Sequence, residues 1–359
     1  MTTDVAEAAS PPDRRSGRAA VLMASGTALS RLTGLARLAV AAYALGFGSL
    51  ADVFNLANTM PNIVHDLVLD GVLSATFVPV FVHELATRDR DEAVESIAAV
   101  VTLSAVLLAI STVIFIAIAP LIASLYFGGN GDSQGVATEL LVLFAPQLLC
   151  YGTISLITAL LNTERRFAAP MFVPILNNLI AIATLVVFAH MSHGSATSTH
   201  AIGGARLFLL GAGTTIAVAV QALALLPSMI RSRFRLRPVW RPHDPAVRSI
   251  LRLSGWTFGF VVANQIAMFV VLVLAAKLET LEHGAVSVYT YGFTFFQLPF
   301  GIIAVSVMSA ISPELTELYS RKDLAGFRSR FGSGTRQILG LIVPSAVGYL
   351  ILAPSLMTL

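Results

Sequence analysis

Two arginines stand inside an apolar stretch, Arg31 and Arg37 in the run SRLTGLARLAV. Arginine stays charged at any relevant pH, so in hydrocarbon each must find a counter-ion, water or an anionic ligand. Six residues apart on a helix, the two are offset by about 9 Å and 120°. That is too far for one tight clamp, but both long side chains can reach a single cavity beside the same helix. A guanidinium binds phosphate oxygens through two parallel hydrogen bonds, so the pair points to an anion as ligand. The competing use of these charges is pairing with a carboxylate from the next stretch, at Asp52, Asp66 or Asp70.

That next stretch reads DVFNLANTMPNIVHDLVLDGVLSATFVP from Asp52 to Pro79. At about 100° per residue, Asp52, Asn55, Thr59, Asn62, Asp66 and Asp70 share an arc of roughly 80°. Val53, Leu56, Ala57, Ile63, Val64, Leu67 and Val68 take the opposite face. One or two amides could glue a helix interface. Six polar positions beside two arginines favour a face lining a polar cavity, with Asp52 equally suited to pairing with an arginine.

The elements that position these residues are membrane spans. Of the 359 residues 56% are hydrophobic and 12% charged, and mean hydropathy is +0.79; a soluble domain carries about twice that charged fraction. Apolar windows of about 19 residues predict nine spans, at 19–47, 52–82, 97–127, 137–161, 167–190, 204–230, 250–276, 285–318 and 337–357. The second and eighth exceed the roughly 20 residues of a straight crossing. Pro61, Gly71 and Pro79 in one, and Pro299, Gly301 and Pro313 in the other, predict bends. Their tails, FVPVFVHEL and AISPELTEL, hint at an internal repeat.

Of the 23 lysines and arginines, 19 fall before span 1 or in the 2–3, 4–5, 6–7 and 8–9 connections. The positive-inside rule then predicts a cytoplasmic N-terminus, with residues 1–18 disordered and no signal peptide. The arginines of 231–252 are read as orientation signals and headgroup contacts, which removes nucleic acid as the reason for a pI near 9.2. His190, His193 and His200, spaced by three and seven in a Gly/Ser/Thr stretch, make no metal site. Cys150 is alone, so no internal disulfide forms. No Walker A, G-x-S-x-G, HExxH or CxxC motif occurs, so neither an enzyme nor an ATP-driven pump is expected.

Residues 30–85, SRLTGLARLAVAAYALGFGSLADVFNLANTMPNIVHDLVLDGVLSATFVPVFVHEL, resemble the opening of the lipid II flippase family (MurJ, also called MviN) of the multidrug/oligosaccharidyl-lipid/polysaccharide exporter superfamily. LNTERRFAAPMFVPILNN and FQLPFGIIAVSVMSAISPELTEL agree as well, in order and spacing. The resemblance implies an all-α polytopic membrane protein in the bacterial plasma membrane. It would move lipid II, an undecaprenyl-diphosphate-linked peptidoglycan precursor, to the outer face by alternating access, with no cofactor and with drive from membrane potential or an ion. Its partners would be that lipid, membrane lipids and other cell-wall synthesis proteins. By the same resemblance Arg31 and Arg37 match essential arginines, and Ser30, Asp52, Asn62 and Asp70 match cavity positions.

The sequence departs from the family at His65 and Thr294, where many members carry cavity arginines. Against a family of about fourteen spans the chain ends inside the ninth. The expected organisation is a six-helix lobe (19–230), a basic cytoplasmic loop (231–252) and half of a second lobe (253–359) around a central polar cavity. The alternatives are an exporter of another polyprenyl-linked saccharide, a drug/ion antiporter of the same superfamily, or a non-transporting membrane scaffold of cell-wall assembly.

Overall fold

A computed structural model describes residues 14–357, apart from 70–74, 129–130, 165, 193–197, 233, 235–236, 254 and 279–283. Asp70, His193, Gly71 and most of the expected N-terminal tail therefore lie outside the described residues. Among the described residues the regular structure is helical: α1 (Arg14–Leu45), α2 (Ser49–His65), α3 (Ala75–Thr87), α4 (Arg90–Phe127), α5 (Gly131–Phe144), α6 (Gln147–Thr163), α7 (Ala168–Ser192), α8 (Gly204–Ile230), α9 (Pro245–Leu253), α10 (Gly255–Leu278), α11 (Ala285–Pro299), α12 (Val305–Ser320) and α13 (Leu324–Met357).

Seven helical stretches among these residues are long and apolar enough to cross a membrane. The other two of the nine expected spans are the ones with proline and glycine inside. In the second, the α-helix gives way after His65 to a π-turn at 66–69, leaving α2 and α3 as separate pieces of 17 and 13 residues. In the eighth, a π-turn over Phe300–Ala304 divides α11 from α12. Such turns interrupt the hydrogen-bond ladder and are common at functional sites.

The chain forms two compact units, 1–286 and 287–359. In the first, α1 packs along α7 and α7 on α8, while α2 lies against α5 and α6. α4 packs on α5, α6 and α10. At Gly152 of α6 an added Cβ would strike Leu108 of α4, so the missing side chain allows the close helix approach common in membrane bundles. In the second unit α12 packs on α13, with Arg330 Nε donating to Glu314 Oε2 at 2.6 Å.

The stretch expected as a basic loop, 231–252, holds a helix. α9 turns Ala246, Val247 and Ile250 into an apolar cluster with Phe77, Phe81 and Ile97, and leaves Arg248 and Arg252 outside. Asp244 caps it by accepting from the Ala246 N–H at 2.8 Å. The other Asp244 oxygen accepts from Ser96 Oγ at 3.3 Å, and Ser96 accepts from Arg88 at 3.0 Å. Because α9 and α10 pack on α4, the first unit runs past 252, the expected end of the loop, to 286.

Candidate functional site

α2 is an interior helix. The expected polar face divides along its length. Asp52 and Asn55, expected beside water, are buried at 0% and 8% exposure. So are Val53, Leu56 and Ala57 on the opposite face, because protein rather than lipid covers both sides here. Asp52 is satisfied internally: its Oδ2 accepts from the Gly284 N–H at 3.0 Å. From Asn58 onward half-buried positions appear, Asn58, Thr59, Asn62 and Asp66 among them, while Met60, Pro61, His65 and Leu69 stay buried.

Over that stretch Asn62, His65 and Asp66 meet a stripe on α6. Asn62 lies near the phenol of Tyr151 and donates to Asn58 O at 3.0 Å. Tyr151 donates to Gln147 Oε1 at 3.2 Å, and Gln147 Nε2 donates to Thr215 of α8 at 3.0 Å. The His65 ring stands edge-on to Tyr151, 5.8 Å between centroids. Its nitrogens reach Ser155 Oγ at 3.1 Å and Asp66 Oδ1 at 3.3 Å, and Gln265 of α10 donates to Asp66 Oδ2 at 3.0 Å.

Arg37 lies within electrostatic reach of Tyr151. Arg31, one and a half turns earlier, is half-buried, and its Nε is buried without a hydrogen-bond partner. No ion pair with a carboxylate among the described residues holds either arginine. Asp52 and Asp66 are engaged elsewhere. Ser30 sits on the seam between α1 and α7, where its carbonyl and the Thr33 hydroxyl accept from Asn178 Nδ2 at 3.1 and 3.0 Å.

The structure thus gathers Arg37, Asn62 and His65 around Tyr151, with Arg31 on the next turns of α1. Ser30 and Asp52 have other neighbours. Gln147, Tyr151 and Ser155 were missed by sequence reasoning. Their signal was present: three polar side chains at four-residue spacing inside an otherwise apolar run.

A cavity of about 630 Å³ opens between the connections that carry Arg88, Arg90, Arg166 and Phe234. Two of its arginines are already compensated. Arg88 pairs with Glu84 at 3.0 Å and Glu92 at 3.6 Å, and Arg166 with Glu164 at 3.3 Å. Those pairings leave Arg88 and Arg166 less free to hold an anion than Arg37, which no carboxylate among the described residues pairs. At the opposite end of the unit Asp132 pairs with His200, a carboxylate that the spacing of the histidines did not reveal. No metal-holding group of three ligands forms among the described residues.

The family model described as lipid II flippase MurJ matches residues 41–359. The chain belongs to that family. A probable lipid II flippase MurJ of Haemophilus influenzae is 30% identical over 350 residues, which are 93% of this chain and 66% of that protein. A lipid II flippase MurJ of Burkholderia cenocepacia is 26% identical over 347 residues, 94% of this chain and 64% of its own length. The chain therefore spans slightly less than two thirds of the curated relatives it matches.

Among solved structures, a lipid II flippase MurJ in an inward closed conformation superposes with a TM-score of 0.71 at 21% identity, over 92% of this chain and 65% of that one. An inward-facing multidrug resistance MATE family transporter of the MOP superfamily gives 0.68 at 17%, over 90% and 71%. The fold is the one these transporters share. Arg31 and Arg37 precede the residues the family model matches.

Proposed function

We propose that this chain translocates lipid II, or a closely related polyprenyl-diphosphate-linked saccharide, across the bacterial plasma membrane by alternating access. The observation that carries the reading is the Arg37 guanidinium, which no carboxylate among the described residues pairs and which lies within electrostatic reach of Tyr151. A fixed cation in a polar pocket suits a diphosphate, and Arg31, with its unpartnered Nε, suits a second phosphate oxygen or a sugar. A cation-selective antiporter would present net acid at this place. MATE transporters share the fold, so the charge of the pocket, not the architecture, favours the anionic lipid.

In this reading Arg31, Arg37, Asn62 and His65 contact the headgroup. Asp52 keeps the end of α2 in place, while Ser30 and Asp70 remain cavity positions by resemblance. The N-terminus is cytoplasmic, no cofactor takes part, and membrane potential or an ion supplies the drive. The chain is a transporter rather than an enzyme.

The test is precursor accumulation in cells depleted of their own flippase, with membrane abundance measured alongside. Arg37→Ala loses a charge-assisted contact of about 1.5–3 kcal/mol, roughly ten- to hundredfold in affinity. Arg37→Lys keeps the charge but not the planar fork and is expected to act in between. Normal translocation by an abundant Arg37→Ala protein would overturn the diphosphate-binding role.

A further inference from the structure

His65 is held at both ring nitrogens. Nε2 lies 3.1 Å from Ser155 Oγ and Nδ1 3.3 Å from Asp66 Oδ1, and only 9% of the residue is exposed. Asp66 is fixed in turn by Gln265 at 3.0 Å. A serine hydroxyl can donate or accept. With a neutral imidazole, Nδ1–H donates to Asp66 and Nε2 accepts from Ser155. With a protonated one, Nε2–H donates to the same oxygen. Both charge states are hydrogen-bonded without moving a heavy atom, and a site of this kind takes up or releases a proton with little reorganisation.

We propose that His65, with Asp66 and Ser155, is a proton-binding site whose charge sets the affinity of the pocket for its anionic ligand. The inference rests on the function proposed above, with a polyprenyl diphospho-sugar as that ligand. When the imidazole is neutral, the His65–Asp66 pair carries one negative charge beside the Arg37 pocket. When it is protonated, the pair is neutral. An anionic ligand therefore favours the proton, and the proton favours the ligand to the same extent.

The groups that bear on this site come from the elements packed against α2, which are α1, α5, α6 and α10. α1 contributes Arg37 and Arg31, α6 contributes Tyr151, and α10 contributes the uncharged Gln265. The carboxylates of α5, Asp132 and Glu139, are exposed. They lie toward the other end of α2, where Phe144 packs on Phe54, a residue about 16 Å from His65 along the helix axis. Asp66 is thus the acid that His65 answers to among the described residues.

Calorimetry on the purified protein in detergent, with a short-chain polyprenyl diphospho-sugar, tests this. The sugar cap makes the diphosphate a diester, so the probe itself holds no proton that titrates in the range used. Histidine changes charge between about pH 5 and 8, so binding is measured at pH 5.5 and pH 8 in buffers of different ionisation enthalpy. The wild-type protein is expected to bind about tenfold tighter at pH 5.5 and to take up a proton on binding near neutral pH. His65→Gln should bind with equal affinity at both values and take up none. His65→Arg should bind tightly at both, and Asp66→Asn, which removes one negative charge from the pair, should bind more tightly than the wild type at pH 8. Persistence of proton uptake in His65→Gln would overturn the inference. Wild-type binding that ignores pH would overturn it while leaving the ligand class standing. An absence of binding at either pH would overturn both readings. Should His65→Gln aggregate, the wild-type proton uptake and the Asp66→Asn response decide alone.

Discussion

Asp52 and Gly284, 232 positions apart, are joined by a hydrogen bond from the Gly284 amide to the Asp52 carboxylate at 3.0 Å, with Asp52 fully buried. Gly284 has φ +95°, and a Cβ there would strike the carbonyl of Phe47 in the turn before α2. One acid and one glycine thus fasten the chain ahead of α11 to the start of α2.

Asp52→Ala is expected to leave that amide unsatisfied in a buried place, at a cost of about 1–3 kcal/mol. Asp52→Asn keeps an acceptor and should lose less. Gly284→Ala adds backbone strain to a steric clash and should cost at least about 1 kcal/mol. Thermal unfolding in detergent reads all three. A Gly284→Ala protein that melts with the wild type would show that the close approach to Phe47 carries no weight.

Tyr151 of α6 meets α2 through its ring, and its phenol donates to Gln147. Tyr151→Phe keeps the edge-on contact with His65 and removes the bond to Gln147. At about 0.5–1.5 kcal/mol for that bond, ligand affinity should fall roughly two- to tenfold while membrane abundance stays the same. Equal loss of abundance would mark the phenol as a packing group instead.

What could be read in the sequence follows from how unusual each residue is in hydrocarbon. Arg31 and Arg37 announce themselves, because an arginine within an apolar span demands an explanation. The two broken spans were legible as well, since Pro61 and Pro299 mark the helices that end in π-turns. Tyr151 was less so: it shares a four-residue spacing with Gln147 and Ser155, but a tyrosine in an apolar run is ordinary and only its partners give it meaning. Helical periodicity placed Asp52 and Asn62 on one face. It could not say that the first is fully buried and the second half-buried, which depends on how α5 and α6 pack. α9 hid inside a run of arginines, its three inward residues too few to outweigh the charge pattern.

The corner that holds α9 has its own weak point. Glu84 is buried at 4% exposure, and Arg88 pairs with it at 3.0 Å while also reaching Ser96 and, through it, Asp244. Arg88→Ala leaves a buried carboxylate uncompensated, a loss of about 3 kcal/mol. Glu84→Gln in the same chain should restore much of it. Asp244→Ala removes the cap of α9 at about 1 kcal/mol and should raise hydrogen exchange over 245–253 more than in α4. If the Arg88→Ala, Glu84→Gln double variant is no more stable than Arg88→Ala, the buried charge is not the cause.

The orientation is tested by two positions at opposite ends of α4. His243 is exposed beside Arg241, which pairs with Glu95 at 2.7 Å near the start of that helix. Gly135 is exposed in α5, just after the helix ends at Phe127, and a Cβ there meets nothing within 4 Å. α4 has 38 residues, about 57 Å at 1.5 Å per residue, more than enough to put its ends on opposite sides of a bilayer. The arginines of the 2–3, 4–5 and 6–7 connections gather at the His243 end, so the positive-inside rule predicts a cytoplasmic location for that end. With Cys150 replaced by Ser, a membrane-impermeant thiol reagent added to intact cells should label Gly135→Cys and spare His243→Cys until the membrane is permeabilised. Labelling of His243→Cys alone would invert the orientation, and with it the side of the membrane assigned to each end of α4.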